Sequence, residues 1–141
     1  LRSLIKQTVL IILSSWKNNG FIHGDLHSKN VLISKSHFEN VNTNVGNNKF
    51  KTKTEGYVPI LMDFENSIIV GNNPDMFAIN NFYIDFMKFF ITMNTFIKSI
   101  DPSTIIPITQ LINNTAMEFK DVSIETLLSL IDLINLRTTK T

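Results

Sequence analysis

Four polar residues in two short stretches have the types and spacing needed for metal-assisted chemistry on a hydroxyl group. His23, Asp25 and Asn30 share one polar loop, and Asp63 ends an apolar run farther along the chain. A carboxylate such as Asp25 can accept the proton of an attacking hydroxyl. Mg²⁺ prefers oxygen ligands and retains several waters, so Asn30 and Asp63 would suffice beside the phosphates of a substrate. The alternative is a polar turn between two structural elements, without chemistry.

The composition indicates a single folded domain. The chain has 141 residues, of which 43% are hydrophobic, so a packed core is expected. A net charge of +1 gives no electrostatic reason to expect nucleic acid as a partner. Cysteine is absent, which excludes disulfides and thiolate metal sites and fits a cytoplasmic location. No apolar run approaches the roughly 18 residues of a membrane span, so no span is predicted.

Hydrophobic periodicity divides the chain into helices and short strands. The predicted helices cover residues 3–19, 80–93, 103–115 and 124–134, and the predicted strands cover 31–34 and 57–62. Leu10 and Ile11 widen the apolar stripe of the first helix, so this helix should be buried on more than one side. Gly20 is a stop signal at its end. Residues 66–75 are predicted to form a loop.

The stretch 35–56 differs from its surroundings in composition. It is rich in Asn, Lys, Thr and Ser and has few apolar residues. We interpret it as a solvated loop inserted between the two predicted strands. A phosphate-binding or nucleic-acid role for Lys49, Lys51 and Lys53 is the alternative. The solvated loop is favoured, so no nucleic-acid partner is predicted.

One acid, Asp85, lies in the middle of the strongly apolar helix predicted at 80–93. A buried carboxylate costs several kcal/mol unless it is hydrogen-bonded. Asp85 is therefore expected to have hydrogen-bond donors from elsewhere in the fold. The alternative is that it faces water.

The order of these elements resembles the C-terminal lobe of the protein-kinase-like fold. That fold class is α+β and mostly α, and a small β-hairpin carries its catalytic loop and an Asp-Phe-Glu element, here residues 63–65. The resemblance covers residues 3–98, with 99–141 as closing helices. It implies that residues 1–141 form one kinase-like lobe with a polar insertion at 35–56.

Two details of the resemblance point to different branches of that fold. The loop His23–His27 is similar to that of aminoglycoside and choline kinases. The helix around Asn81–Phe86, with Phe89 and Phe90 behind it, resembles the late serine/threonine protein kinases of poxviruses and giant DNA viruses. We favour an ATP-dependent protein kinase of the large DNA virus type, in the host cytoplasm or the virion. A small-molecule kinase is the second hypothesis, and a non-catalytic pseudokinase or binding module is the third.

The resemblance implies roles for five polar residues. Asp25 would orient the acceptor hydroxyl and take its proton, and Asn30 and Asp63 would hold Mg²⁺ against the phosphates of ATP. His27 stands where protein kinases usually have a Lys that meets the transferred phosphate. It is expected either to serve that purpose more weakly or to pack. Lys29 would reach the phosphates, with a solvent-facing side chain as the favoured alternative.

Three further residues are expected to support the loop. The resemblance implies that His23 packs against the strand carrying the metal ligand, and that Phe64 packs below the metal site. It implies that Asp85 accepts hydrogen bonds from the loop. Glu65 stands where most protein kinases have Gly, so switching by a flip of this segment is not expected.

The elements that hold the nucleotide in a kinase are not found in this sequence. The Gly-rich loop and the V-A-I-K strand that hold ATP in protein kinases have no counterpart in these 141 residues. The start, Leu1-Arg2-Ser3, lacks a signal-peptide layout and looks like the interior of a longer chain. The chain is therefore expected to need an upstream N-terminal lobe in order to bind ATP. Its expected substrate is a protein with Ser or Thr hydroxyls.

Overall fold

The computed structural model describes residues 2–71 and 75–97, together with Ser103 and Gln110. Within this part, the chain has an α+β fold with two helices and three small antiparallel sheets. In chain order the elements are α1 (Arg2–Asn19), β1 (Phe21–Ile22), a 3₁₀ turn (Ser28–Asn30), β2 (Val31–Lys35), β3 (Asn40–Val45), β4 (Asn48–Lys53), β5 (Tyr57–Leu61), β6 (Ile68–Ile69) and α2 (Met76–Ile97). Apart from Ser103 and Gln110, the helices predicted at 103–115 and 124–134 lie outside the described residues.

Helix α1 forms where the periodicity predicts it and is buried on more than one side, as expected. Its buried positions include polar residues as well as the apolar stripe. Gln7 is one of them, and its Nε2 donates to the Tyr57 carbonyl at 3.0 Å, so the polar group is buried with a partner. The helix ends at Gly20, whose φ of +68° suits the left-handed conformation that follows many helices. The Gly20 N–H closes the last turn on the Trp16 carbonyl at 2.8 Å.

Helix α2 is longer than the predicted 80–93. It begins after Asp75, whose Oδ1 accepts a hydrogen bond from the Ala78 N–H at 2.8 Å and so caps the free N–H groups of the first turn. Among the described residues, neither α1 nor α2 combines the length and the apolarity that a bilayer crossing requires.

The core lies between the two helices. Trp16 of α1 and Phe82 of α2 stack with ring centroids 4.5 Å apart and an interplanar angle of 14°. Around this pair, the fully buried large side chains are Phe90, Ile5, Leu10, Ile12, Ile22 and Leu26. Leu26 belongs to the polar loop of the sequence analysis, so one apolar side chain anchors that loop in the core.

Strands β2 and β5 form the predicted antiparallel pair. Val31 lies opposite Leu61, and Lys35 lies opposite Tyr57. The ladder continues one step beyond the strands, because the Met62 N–H donates to the Asn30 carbonyl at 2.8 Å. The insertion therefore leaves and returns at the far end of this ribbon, and the polar residues lie at the near end.

The prediction of a solvated loop at 35–56 is wrong for most of that stretch. Strands β3 and β4 pair as a hairpin whose turn is Gly46-Asn47, with Gly46 at a φ of +60°. Val45 beside the turn is 0% exposed, and the neighbouring Gly46 N–H donates to Asn18 Oδ1 of α1 at 3.0 Å. The hairpin packs on α1 because every second residue of β3 is Val or Thr, a period-2 pattern typical of a half-buried strand.

The loop predicted at 66–75 contains one short strand. Ile68 and Ile69 pair with Ile22 and Phe21 of β1, and the Val70 N–H donates to the Gly20 carbonyl at 2.9 Å. This pairing returns the chain from Asp63 to the entrance of the polar loop. The two polar stretches are thus joined at two places, by β2–β5 and by β1–β6.

We expect Val45→Ala to lower the free energy of unfolding by about 2 kcal/mol, because it removes two methyl groups from a fully buried position. Asn42→Ala, on the exposed face of the same strand, is the matched control and should change stability by less than about 0.5 kcal/mol. Urea unfolding of both variants measures the difference. Equal effects would contradict the packing of the hairpin on α1.

Candidate functional site

The 23–30 loop is held by one polar stripe of α2. Asp85, Lys88 and Thr92 follow each other at helical spacings of three and four residues, which places them on one face of the helix. Each of them hydrogen-bonds to a different residue of the loop. The loop therefore has its conformation fixed along most of its length by a rigid element.

Asp85 holds the beginning of the loop. Its side chain is 3% exposed, and both carboxylate oxygens lie 3.1 Å from the Gly24 nitrogen, which donates to them. Burial raises the pKa of Asp85, and the loop N–H groups of Gly24, Leu26 and His23 oppose that rise because they stabilise the charged form. These hydrogen bonds offset part of the desolvation cost of Asp85 and fix the backbone around Gly24.

Lys88 and Thr92 hold the middle of the loop. The Lys88 ammonium donates to Asp25 Oδ1 at 2.5 Å, and Thr92 Oγ1 accepts from the Ser28 N–H at 2.9 Å. The Thr92 hydroxyl in turn donates to the Lys88 carbonyl at 2.7 Å. Neither residue was predicted from the sequence. The available signal was their spacing from Asp85, because a helix that turns Asp85 to the loop also turns these two residues to it.

Asp25 is a partly exposed carboxylate with two different oxygens. Oδ1 is bound by Lys88, and this hydrogen bond lowers the pKa of Asp25. Oδ2 lies 3.5 Å from Asn30 Nδ2 and 3.7 Å from His27 Nε2, which are longer contacts. Oδ2 is therefore the oxygen with more capacity to accept a hydrogen bond from another molecule.

Asn30 is buried, and its amide orientation follows from its partner. Nδ2 donates to the Asp25 carbonyl at 2.8 Å, and a carbonyl can only accept, so the atom facing it is the nitrogen. The amide oxygen then points away from Asp25. That oxygen is the atom of Asn that binds hard cations, so the geometry of Asn30 fits the metal-ligating role implied by the resemblance.

Asp63 lies directly after β5, in an unusual backbone conformation. Its φ is +61°, in the left-handed region that Asp tolerates better than most residues but that still costs free energy. Such strain is often found at functional sites. Because Met62 is hydrogen-bonded to Asn30, the exposed Asp63 follows immediately after the contact that joins the two stretches.

His23 connects the loop to the segment carrying Asp63. Its side chain is fully buried, and Nδ1 accepts from the Asp25 N–H at 3.2 Å. The ring proton is therefore on Nε2, which donates to the Met62 carbonyl at 2.7 Å. Phe64 covers the ring with centroids 5.3 Å apart, while about half of Phe64 remains exposed.

His27 and Lys29 have different surroundings. His27 Nδ1 accepts from the Lys29 N–H at 3.2 Å and so caps the 3₁₀ turn. The other ring nitrogen, Nε2, lies 3.2 Å from Asn30 Nδ2 and 3.7 Å from Asp25 Oδ2. Lys29 is exposed on the same turn, and its backbone takes part in the cap. Of these two, His27 is the side chain that lies beside the Asp25 carboxylate.

Gly24 is required by both conformation and space. Its φ is +87°, and a Cβ at this position would lie 2.3 Å from the Asn66 carbonyl oxygen. The segment after Asp63 thus passes directly over the loop backbone. This contact explains why the position after His23 has no side chain.

Within the described part of the chain, no group of three or more His, Cys, Asp or Glu residues is placed to hold a metal ion. A Mg²⁺ held by one amide and one carboxylate oxygen does not need such a group.

Comparison of the chain with known family models and with curated proteins gave no match.

We expect stability to depend on the titration of Asp85. Because burial raises its pKa, the folded chain binds more protons than the unfolded chain between the unfolded-state pKa, about 3.9, and the higher folded-state pKa. The free energy of unfolding should therefore fall as the pH rises through that window. Asp85→Asn cannot titrate and should lack this fall. Urea unfolding of both proteins from about pH 3 to about pH 7 measures the difference, and parallel profiles would contradict it.

We expect Gly24→Ala to be more destabilising than Gly56→Ala. Both glycines have similar positive φ angles, +87° and +91°, but a Cβ at Gly56 would meet nothing within 4 Å. The backbone penalty of about 1–2 kcal/mol is thus common to both variants, and the clash with Asn66 adds about 1–3 kcal/mol to Gly24→Ala alone. Urea unfolding compares them. Equal losses would show that the segment after Asp63 does not press on the loop.

Proposed function

We propose that this chain carries the catalytic loop of a Mg·ATP-dependent phosphotransferase, of the serine/threonine protein kinase class. The observation that carries the proposal is the combined position of Asp25, Asn30 and Asp63. Asn30 Nδ2 donates to the Asp25 carbonyl, and the N–H of Met62, the residue before Asp63, donates to the Asn30 carbonyl. Two carboxylates and an amide are the residue types that phosphoryl transfer to a hydroxyl requires.

Asp25 is the proposed proton acceptor. Lys88 engages Oδ1, so an acceptor hydroxyl would donate its hydrogen bond to Oδ2 and later leave its proton there. Asn30 holds the Asp25 backbone through its 2.8 Å hydrogen bond, which keeps the carboxylate in place. This arrangement contributes orientation, which supplies much of the rate enhancement in phosphoryl transfer.

Asn30 and Asp63 are the proposed metal ligands. Asn30 directly precedes β2 and the exposed Asp63 lies two residues after β5, so both residues lie at the Val31–Leu61 end of the ribbon. A bound Mg²⁺ neutralises charge on the phosphates and orients them. The protein's own contribution is to hold the two oxygens on hydrogen-bonded backbone, and His23 supports this by linking the Asp25 N–H to the Met62 carbonyl.

An apolar surface next to these residues supports a nucleotide as the phosphate donor. Leu32 and Ile60 are cross-strand partners on β2 and β5, and each is about half exposed. A flat aromatic base would bury these side chains and gain hydrophobic free energy. The upstream lobe implied by the resemblance would close over the same surface. Binding of ATP between the upstream lobe and this surface is part of the proposal.

Phosphate transfer in the longest natural protein that contains this chain tests the proposal. We expect labelled phosphate to pass from Mg·ATP to casein, and Asp25→Asn and Asp63→Asn each to lower the rate about 10²-fold or more. Glu39→Gln, which removes an exposed carboxylate on the insertion, is the matched control and should retain the rate.

The acceptor series separates the proposal from its alternatives. Transfer to choline or an aminoglycoside in place of casein would identify a small-molecule kinase. An absence of transfer to all three acceptors, with a folded protein, would contradict the phosphotransferase and favour a binding module.

A further inference from the structure

We propose that Lys88 is a catalytic residue that contacts the phosphoryl group during its transfer, in addition to holding Asp25. The inference rests on the proposed function and assigns a role that the 23–30 loop itself does not fill. Lys88 lies on α2, more than 60 positions after Asp25 in the chain.

The position of the Lys88 ammonium group is the first argument. Nζ lies 2.5 Å from Asp25 Oδ1, and the Lys88 side chain is 43% exposed, so the ammonium is at the surface of the loop and open to a ligand. An ammonium has three donors, and Asp25 Oδ1 uses one of them. A phosphoryl group that approaches a hydroxyl bound at Asp25 Oδ2 would pass beside the same ammonium.

Charge balance is the second argument. An acceptor hydroxyl held by the Asp25 carboxylate must meet a phosphoryl group that is itself anionic, and two anions repel strongly in a partly desolvated site. A cation in contact with both lowers this repulsion. The His27 ring lies farther from the carboxylate than Lys88 does, with Nε2 3.7 Å from Asp25 Oδ2. The Lys88 ammonium is in direct contact with Asp25 Oδ1 at 2.5 Å.

The rigidity of α2 is the third argument. The Lys88 carbonyl accepts from Thr92, which also receives the Ser28 N–H of the loop, and Asp85 one turn earlier binds Gly24. The base of the Lys88 side chain is therefore fixed relative to Asp25 by contacts on both sides. Such fixed charges stabilise a transition state without reorganisation.

The acceptor oxygen forms a bond to the γ-phosphorus, and the bond from that phosphorus to the bridging oxygen breaks. The electron pair of the broken bond remains on ADP, and the acceptor proton moves to Asp25 Oδ2. Lys88 keeps its proton and donates hydrogen bonds to Asp25 Oδ1 and to a phosphoryl oxygen.

A merely positioning role for Lys88 gives a different expectation. If Lys88 acted only by orienting Asp25, its loss would have no further effect once Asp25 was replaced. A double-mutant cycle with Asp25→Asn and Lys88→Met separates the two roles. The readout is binding of Mg·ADP with and without aluminium fluoride, which mimics the transferred phosphoryl group, measured by calorimetry on the longest natural protein that contains this chain.

We expect Lys88→Met, in the Asp25→Asn background, to weaken binding of Mg·ADP with aluminium fluoride at least about tenfold and to change the affinity for Mg·ADP alone less than about threefold. Lys88→Arg should restore most of the difference because it keeps the charge. Lys49→Met removes an exposed lysine of the hairpin and is the control for net charge. In the otherwise natural protein, Lys88→Met should lower kcat for casein more than it raises KM.

The outcomes distinguish the two proposals. Casein labelling that requires Asp25 but is unchanged in Lys88→Met would overturn the role of Lys88 and leave the phosphotransferase standing. An effect of Lys88→Met that vanishes in the Asp25→Asn background would reduce Lys88 to a positioning residue. An absence of labelling in the natural protein would contradict the phosphotransferase itself, and the role of Lys88 with it.

Discussion

A carboxylate buried in an apolar helix must find hydrogen-bond donors, and the rest of the site follows from how Asp85 finds them. Its donors are backbone N–H groups of the loop, which are groups that the loop cannot satisfy internally while it turns through Gly24. Two costs, a desolvated anion and unpaired backbone donors, thus offset each other. The conformation of the loop is therefore coupled to the packing of α2 in the core.

The opposite side of the loop is fixed by a different set of contacts. His23 bridges the Asp25 N–H and the Met62 carbonyl, and Asn30 joins both the Asp25 carbonyl and the Met62 N–H. The loop is held between helix α2 and the β2–β5 ribbon, so its polar side chains are oriented before any ligand arrives. Preorganisation of this kind is the main protein contribution where the chemistry needs little covalent participation.

The parts of this structure that the sequence predicts are those with a strong local pattern. The wide apolar stripe of α1, the paired strands around the insertion and the lone acid of α2 each have a signal in the residues themselves. The β3–β4 hairpin was not predicted because its composition, rich in Asn and Lys, is typical of loops. The alternating Val and Thr residues of β3 are a weak signal within that composition. The contact of Lys88 was not predicted because a lysine on a helix is ordinarily solvent-exposed. Its partner, Asp25, is also distant in the sequence.

The stacking of Trp16 on Phe82 also has a spectroscopic consequence. The chain has a single tryptophan, and it lies where α1 meets α2. Its emission therefore reports directly on the docking of the helix that carries Asp85 and Lys88, without any added label. A shift of that emission toward longer wavelength marks the entry of water between the helices, so one intrinsic chromophore follows the integrity of the scaffold beneath the loop.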